Sequence, residues 1–272
     1  MHDFLYPKEV FPDTNNRGGI CYFIRSQEYD NSKYGVEFVT HEKNKIVHTN
    51  KRSLKIKDID IFIRDNSAIE ILNKVFPDNS AVQSISQYIS AAKAFGFRTF
   101  FINDPLFRAK KTGLSIPIKC YGRGNKIGYV DYCEINSHKE WVNLWKVYVP
   151  ESNNIGTELN DDNQNAFVGA PNSICTETFL VVGAELSLNE QSANNLSLYL
   201  KTKFARYLLR LAKTSQHGTA KTYRFVPIQD FTLKSDIDWS VSIPEIDQQL
   251  YKKYNLSADE INFIETAIKP ME

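Results

Sequence analysis

The stretch from Glu9 to Ile24, EVFPDTNNRGGICYFI, is the part of the sequence that most constrains the predicted fold. A polar loop rich in Pro, Asp and Asn ends in Gly18-Gly19, where the backbone can turn tightly. Every residue from Ile20 to Ile24 is apolar or aromatic, which predicts a strand buried on both faces, as in the centre of a parallel sheet. Because so little chain precedes this strand, we expect most of the sheet that would bury it to lie outside the sequence.

Composition is typical of a globular protein of one large or two small domains. The chain has 272 residues, of which 42% are hydrophobic and 12% aromatic, enough for a well-packed core. No apolar run approaches the roughly 18 residues that span a membrane, so we expect a cytoplasmic protein with no membrane partner. The five histidines and four cysteines show no metal-ligand spacing, so we expect no metal site and reduced, buried thiols.

Charge is unevenly distributed along the chain although the net charge is only +1. The segment 105–126 and the segment 201–224 contain Lys and Arg but no acid, whereas 151–190 contains acids but no Lys or Arg. Such segregation can build one positive face, which attracts a polyanion by releasing its counterions. The alternative is that these charges scatter over the folded surface.

Periodicity and turn residues predict a mixture of helices and strands. A glycine-rich turn at Gly122 to Asn125 separates two apolar runs, which is typical of a hairpin. Ser257-Ala258-Asp259-Glu260 is a capping box that opens the last helix. The other main predictions are helices over 65–75, from Ser80 to 92 and over 187–214, and strands over 36–39, 99–102, 146–149, 176–182 and 224–228, with a strand pair or linker over 41–57.

Two groups of side chains fit a nucleic acid. The first lies on the long helix and the loop after it: Lys203, Arg206, Arg210, Lys213, Lys221 and Arg224. The first four are spaced by three, four and three residues, so they should share one exposed helix face that could follow a phosphate backbone. The second lies in the glycine turn, where Arg123 and Asn125 suit guanine and adenine edges, with Lys126 beside them. A solvated surface is an equally good explanation for any single residue.

An ordered series of motifs resembles a known enzyme family. Its members along the chain are Glu9-Val10-Phe11-Pro12 with Gly18-Gly19-Ile20-Cys21-Tyr22-Phe23, Tyr121-Gly122-Arg123-Gly124-Asn125 with Gly128-Tyr129-Val130-Asp131-Tyr132, Trp141 with Trp145-Lys146-Val147, Cys175-Thr176-Glu177-Thr178-Phe179-Leu180-Val181, Tyr199-Leu200-Lys201-Thr202-Lys203-Phe204, Phe225-Val226-Pro227-Ile228-Gln229-Asp230-Phe231, and Ile264 to Met271. The first pair is similar to the last conserved stretch of the catalytic domain in adenine-specific DNA methyltransferases of type II restriction–modification systems. The rest resembles their TaqI-like C-terminal specificity domain.

The resemblance implies an α+β fold with mixed sheets and packed helices. Residues 1–57 would be a remnant of the α/β methyltransferase sheet, and 58–272 the target-recognition domain. The family binds S-adenosylmethionine on a glycine-bearing loop and holds the target adenine with an Asn/Asp-Pro-Pro-Tyr motif, and this sequence has neither. We therefore expect no S-adenosylmethionine in this chain and no methyl transfer by it alone. By resemblance, Phe11 would stack on the flipped base.

Double-stranded DNA is the partner that the resemblance implies, together with the missing catalytic domain or a separate methylase subunit. Arg123, Asn125 and Lys126 would approach base edges, and the cations of the long helix and its loop would contact phosphates. Two other hypotheses stay open. The chain could be a protein–protein module that pairs with a methylase subunit. A nuclease is disfavoured, because Asp65 and Glu70 do not form a convincing magnesium-binding arrangement.

Overall fold

The computed structural model describes residues 1–13, 19–56, 59–77, 82–156, 161–213 and 215–271. Within these ranges the chain is a mixed α+β protein with three small sheets and six α-helices. The α+β class is therefore confirmed, whereas the TaqI-like domain and the methyltransferase sheet remnant stay predictions. None of the described helices combines the length and the apolar character that crossing a membrane requires.

The N-terminal sheet is built entirely from the first fifth of the chain. Its strands are β1 (His2–Phe4), β2 (Ile20–Tyr22), β3 (Val36–Glu42) and β4 (Lys45–Arg52), in the order β2-β1-β3-β4. β1 is parallel to β3, and the other two pairings are antiparallel. The predicted strand at 36–39 is confirmed, and β4 shows that the region after it forms a strand pair with β3 rather than a linker.

The prediction that β2 is buried on both faces is wrong. β2 lies at an edge of the sheet, and Cys21 and Tyr22 are exposed. The chain then leaves the sheet with Phe23 63% and Ile24 98% exposed. An apolar strand at an open edge keeps unpaired backbone groups and uncovered side chains. Gly18, the first glycine of the predicted turn, lies outside the described residues.

The N-terminal sheet is tied to the rest of the protein by two arginines. The guanidinium of Arg64 donates to both carboxylate oxygens of Asp3, at 2.8 Å each, and Asp3 is only 3% exposed. Arg52 donates to the carbonyl of Ile63 and lies 5.0 Å from the centre of the Phe38 ring. The predicted domain boundary falls at residues 57 and 58, outside the described ranges, and stays a prediction.

Two three-stranded sheets form the middle of the chain. The first has the order β6-β5-β9 and the second the order β10-β7-β8. Their strands are β5 (Pro117–Tyr121), β6 (Ile127–Asp131), β7 (Lys146–Pro150), β8 (Phe167–Gly169), β9 (Ser173–Cys175) and β10 (Phe179–Val182). The β5–β6 hairpin, β7 and the strand ending at Val182 confirm the sequence-based predictions at these positions.

The helices pack mainly against the second of these sheets. They are α1 (Asn31–Tyr34), α2 (Ser67–Val75), α3 (Glu190–Lys201), α4 (Lys203–Ala212), α5 (Ile243–Lys253) and α6 (Ala258–Ala267). The predicted single helix over 187–214 is two helices, because Thr202 adopts an extended ψ and its hydroxyl accepts from the N–H of Ala205, capping α4. The capping box at Ser257 is confirmed, and Ile264 is fully buried below it.

The predicted helix beginning at Ser80 is wrong where the structure describes it. Only a 3-10 turn, Ile85–Tyr88, forms there. The backbone hydrogen bonds go to distant segments instead: Ile85 donates to Val226, and Ser90 donates to Val181. Long-range pairing thus satisfies the groups that a helix would have satisfied locally. The predicted strand at 99–102 is likewise a 3-10 helix, Thr99–Asn103, and 224–228 contributes only an isolated bridge.

Candidate nucleic-acid interface

The turn between β5 and β6 carries three polar side chains on an exposed tip. The N–H of Gly122 donates to the carbonyl of Lys126 at 2.8 Å, which closes the turn. Gly124 (φ 68°) and Asn125 (φ 58°) take left-handed backbone conformations, which glycine and asparagine tolerate best. A Cβ on Gly124 would meet no atom within 4 Å. Arg123, Asn125 and Lys126, the residues that the sequence assigned to base edges, stand together in this open space, all exposed.

The 3-10 helix Thr99–Asn103 packs beside the turn. There is no room for a Cβ on Gly122, because the side chain of Ile102 occupies that space. The carboxylate of Glu177 accepts from the N–H of Thr99 at 3.0 Å, and its own N–H donates to Phe97 at 2.8 Å. These contacts fix the 3-10 helix at the same end of the sheet as the turn.

The loop after this helix pairs with the outer edge of β6. Arg108 and Tyr129 exchange backbone hydrogen bonds of 2.9 and 2.7 Å. The ammonium of Lys111 lies 5.3 Å from the centre of the Tyr129 ring, within cation–π range. Gly128 leaves no space for a side chain, because the Phe107 ring fills it. The loop is therefore built onto the hairpin rather than free of it.

The glycine turn, the start of the 3-10 helix and the loop after it together carry six exposed cations. We call this surface the basic tip, and its members are Arg98, Arg108, Lys110, Lys111, Arg123 and Lys126. The acids beside it are engaged by the protein. Glu177 binds Thr99 and lies 3.7 Å from Arg98. Asp104 accepts from the N–H of Leu106 at 2.9 Å. Backbone hydrogen bonds from Ser115 and Ile116 lower the pKa of Asp131.

The prediction that Lys203, Arg206, Arg210 and Lys213 share an exposed face is wrong. Arg206 is only 3% exposed, and its guanidinium donates to four backbone carbonyls, those of Lys201, Thr202, Asp162 and Lys269. The C-terminal segment covers this face of α4 and presents its carbonyls to it. Arg206 therefore has no surface left for a phosphate.

The three other cations of this face are half-buried and hold the protein together. Lys203 donates to the Glu265 carboxylate at 2.6 Å, and Arg210 donates to the carbonyl of Ala267 at 2.9 Å. Lys213 donates to the Asn153 carbonyl at 2.7 Å, and burial lowers its pKa to about 8. Contacts of these three with DNA stay a prediction.

Of the two cations predicted in the following loop, one remains open to solvent. Lys221 is exposed. The guanidinium of Arg224 lies 2.5 Å from the carboxylate of Asp60, so part of its charge is already compensated. The exposed cations of the basic tip that the sequence did not single out are Arg98, Arg108, Lys110 and Lys111. The signal for the last three was present, because they lie in the basic segment 105–126.

Phe11 follows the 3-10 helix Pro7–Glu9 and is 51% exposed. Its N–H donates to the carbonyl of Pro7 at 2.9 Å. The Glu9 carboxylate accepts from the N–H groups of Lys43 and Asn44, at 2.6 and 3.1 Å, which holds this segment against the β3–β4 turn. The stacking role that the resemblance implies for Phe11 stays a prediction.

An open pocket of about 430 Å³, within the size range of small-molecule sites, is lined by Val82, Gln83, Ile228, Lys253 and Tyr254. A smaller pocket of about 180 Å³ is lined by Asp3, Gly19 and Arg64 among others, below the roughly 300–1,000 Å³ that drug-sized ligands occupy. The expectation that this chain binds no S-adenosylmethionine stays a prediction. In the described parts of the chain, no group of three or more His, Cys, Asp or Glu could hold a metal ion. Two cysteines, Cys120 and Cys175, are buried as expected, whereas Cys21 and Cys133 are exposed.

Comparison with models of known protein families and with curated proteins gave no match for this chain. The resemblance to adenine-specific DNA methyltransferases therefore stays a prediction from the motifs quoted above.

Proposed function

We propose that this chain is the DNA-recognition portion of an adenine-specific methyltransferase of a restriction–modification system, with a TaqI-like target-recognition domain. The observation that carries the proposal is the basic tip, where a glycine turn, the start of the 3-10 helix beside it and the loop paired with β6 carry six exposed cations. Duplex DNA carries a phosphate charge about every 1.7 Å of helix axis, and such a cationic surface releases its counterions on binding. Arg123 and Asn125 have the donor and acceptor groups that read guanine and adenine.

Recognition and methyl transfer are divided in this proposal. The tip holds and reads the duplex, whereas S-adenosylmethionine and the flipped adenine belong to a catalytic part that this sequence lacks. The N-terminal sheet is the element that would join that part. Its edge strand β2 has an open side, with Tyr22 55% and Phe23 63% exposed, and an open apolar edge is a template for pairing with another strand.

A salt titration tests the proposal. Affinity for a fluorescein-labelled duplex should fall steeply as salt rises, with a slope of about −0.9 for each phosphate contact. Replacing both Arg123 and Lys126 by Ala should reduce the magnitude of that slope by about two. Lys234 and Lys252, exposed cations outside the basic tip, give a matched double-Ala control whose slope should equal that of the wild type.

The second candidate is a protein–protein module that pairs with a separate methylase subunit. The exposed edge of β2 favours it, since such an edge can be completed by a partner as well as by a missing domain. The same titration separates the two. Absence of duplex binding at low salt would exclude the first candidate for this chain and leave the second.

A further inference from the structure

We infer that Phe100 is a stacking residue that inserts between base pairs of a duplex bound at the basic tip. The inference rests on the proposed function and adds a residue and a mode of recognition to it. Phe100 is 70% exposed, and it stands on the 3-10 helix that packs beside the glycine turn. Removing an apolar ring from water is favourable, so the exposed Phe100 ring is available for contact with a ligand.

The neighbours of Phe100 hold it outward. Phe101 is buried, stacks on Phe97 at 4.2 Å between ring centres, and meets Phe107 edge-on at 6.1 Å. In a 3-10 helix consecutive residues are about 120° apart, so anchoring Phe101 inside directs Phe100 away from the core. Glu177 fixes the start of the helix through the N–H and hydroxyl of Thr99, at 3.0 and 3.3 Å. The ring is thus presented by a braced element.

The positive charges around the Phe100 ring favour DNA as the ligand that stacks on it. Arg98 precedes Phe100 by two residues, and Arg123 and Lys126 lie on the adjoining turn, all exposed. Ile127, which follows Lys126, is also 50% exposed. An apolar partner surface would have to desolvate these cations, whereas phosphates pair with them while the bases supply the stacking face. An aromatic ring among cations is the arrangement that proteins use to wedge open a base step.

Insertion requires unstacking, which is cheapest where a base is already missing. The wild-type chain should therefore bind a duplex with a central abasic site about tenfold more tightly than the fully paired duplex, a difference of about 1.4 kcal/mol. Phe100→Ala should remove this preference and leave the salt slope unchanged, because every cation remains. Phe100→Trp should keep the preference, and its added indole fluorescence should be quenched by the duplex.

Leu233 provides the matched control, since it is 94% exposed and lies outside the basic tip. Leu233→Ala should keep the wild-type preference. Equal preference in wild type and Phe100→Ala, or loss of it in Leu233→Ala as well, would overturn the inference while leaving salt-dependent binding and the proposed function intact. Absence of salt-dependent binding by the wild type would overturn both.

Discussion

Replacing Arg206 by Met should destabilise the fold and leave DNA contacts untouched, the reverse of what its place in a basic run suggests. The side chain is 3% exposed, and two of its hydrogen bonds join α4 to other segments, at 3.0 Å to the Asp162 carbonyl and 2.8 Å to the Lys269 carbonyl. A hydrogen bond from a charged donor contributes about 1.5–3 kcal/mol, so losing the two that join α4 to other segments should cost about 3–6 kcal/mol. We therefore expect a loss of about 4 kcal/mol in the free energy of unfolding.

Thermal melting measures this effect directly. At about 2–4 °C per kcal/mol for a chain of this size, Tm should fall by roughly 10 °C. Arg206→Lys keeps the charge but not the planar guanidinium, so its Tm should fall by about half as much. Lys221→Met removes an exposed cation from the same basic run and should change stability by less than about 0.5 kcal/mol.

The decisive comparison combines melting with the salt titration below Tm. The folded Arg206→Met variant should bind duplex DNA with the wild-type salt slope. A Tm within about 2 °C of the wild type together with a shallower slope would refute the assignment of Arg206 to the interior. Reversing the charges of Arg206 and Arg210 together would abolish binding by unfolding the chain, so that variant alone cannot identify a phosphate contact.

Two further predictions concern the hairpin and the buried Lys146. Gly128→Ala should lower the free energy of unfolding by about 1–3 kcal/mol and weaken DNA binding, because the new Cβ would lie 2.9 Å from the Arg108 carbonyl and displace the loop that carries three tip cations. Gly124→Ala, at φ 68° in open space, should lower it by about 1 kcal/mol through backbone strain alone. Equal losses of DNA binding in the two variants would contradict this. Burial lowers the pKa of Lys146 from 10.5 to about 7. Between those pH values the unfolded chain binds the proton and the folded chain does not, so the free energy of unfolding of the wild type should rise with pH. Urea unfolding should therefore show the stability of Lys146→Met relative to the wild type falling between pH 7 and pH 10, and an unchanged difference would show that Lys146 stays charged.

Two local sequence signals gave correct predictions because their hydrogen-bond partners lie nearby in the chain. The capping box at Ser257 and the glycine turn at 122–125 each carry their hydrogen-bond partners within a few residues, and both formed as predicted. The segment 82–92 has helical periodicity, but Ile85 and Ser90 donate to Val226 and Val181, far along the chain. No property of a short window records such partners, so the helix predicted there was wrong. The strand predicted over 99–102 was wrong for another reason, because that segment forms a 3-10 helix with bonds of its own.

The basic face of α4 shows how spacing can be right and exposure wrong. The steps of three and four residues do place Lys203, Arg206 and Arg210 on one side of the helix, as predicted. What covers that side is the end of α6, which has no basic residue in its own last turn. Carbonyls at a helix C-terminus attract cations, and α4 supplies them to Glu265, Ala267 and Lys269. A helix that lacks its own C-terminal cation is thus a sequence signal that a basic run elsewhere serves the fold.

The backbone groups nearby distinguish the cations that stabilise the fold from the cations that remain available to a ligand. The carbonyls at the end of α6 accept hydrogen bonds from the α4 cations, whereas the glycine turn of the basic tip is closed by the N–H of Gly122 on the carbonyl of Lys126. Within the tip, Arg108 reaches the Gly113 carbonyl at 3.4 Å and Arg98 lies 3.7 Å from Glu177. All six tip cations nevertheless stay exposed, so they can face a polyanion. The apolar edge of β2 lies on a different sheet. The proposed DNA binding at the tip and the proposed completion of the N-terminal sheet by a catalytic part would therefore use separate surfaces of one chain.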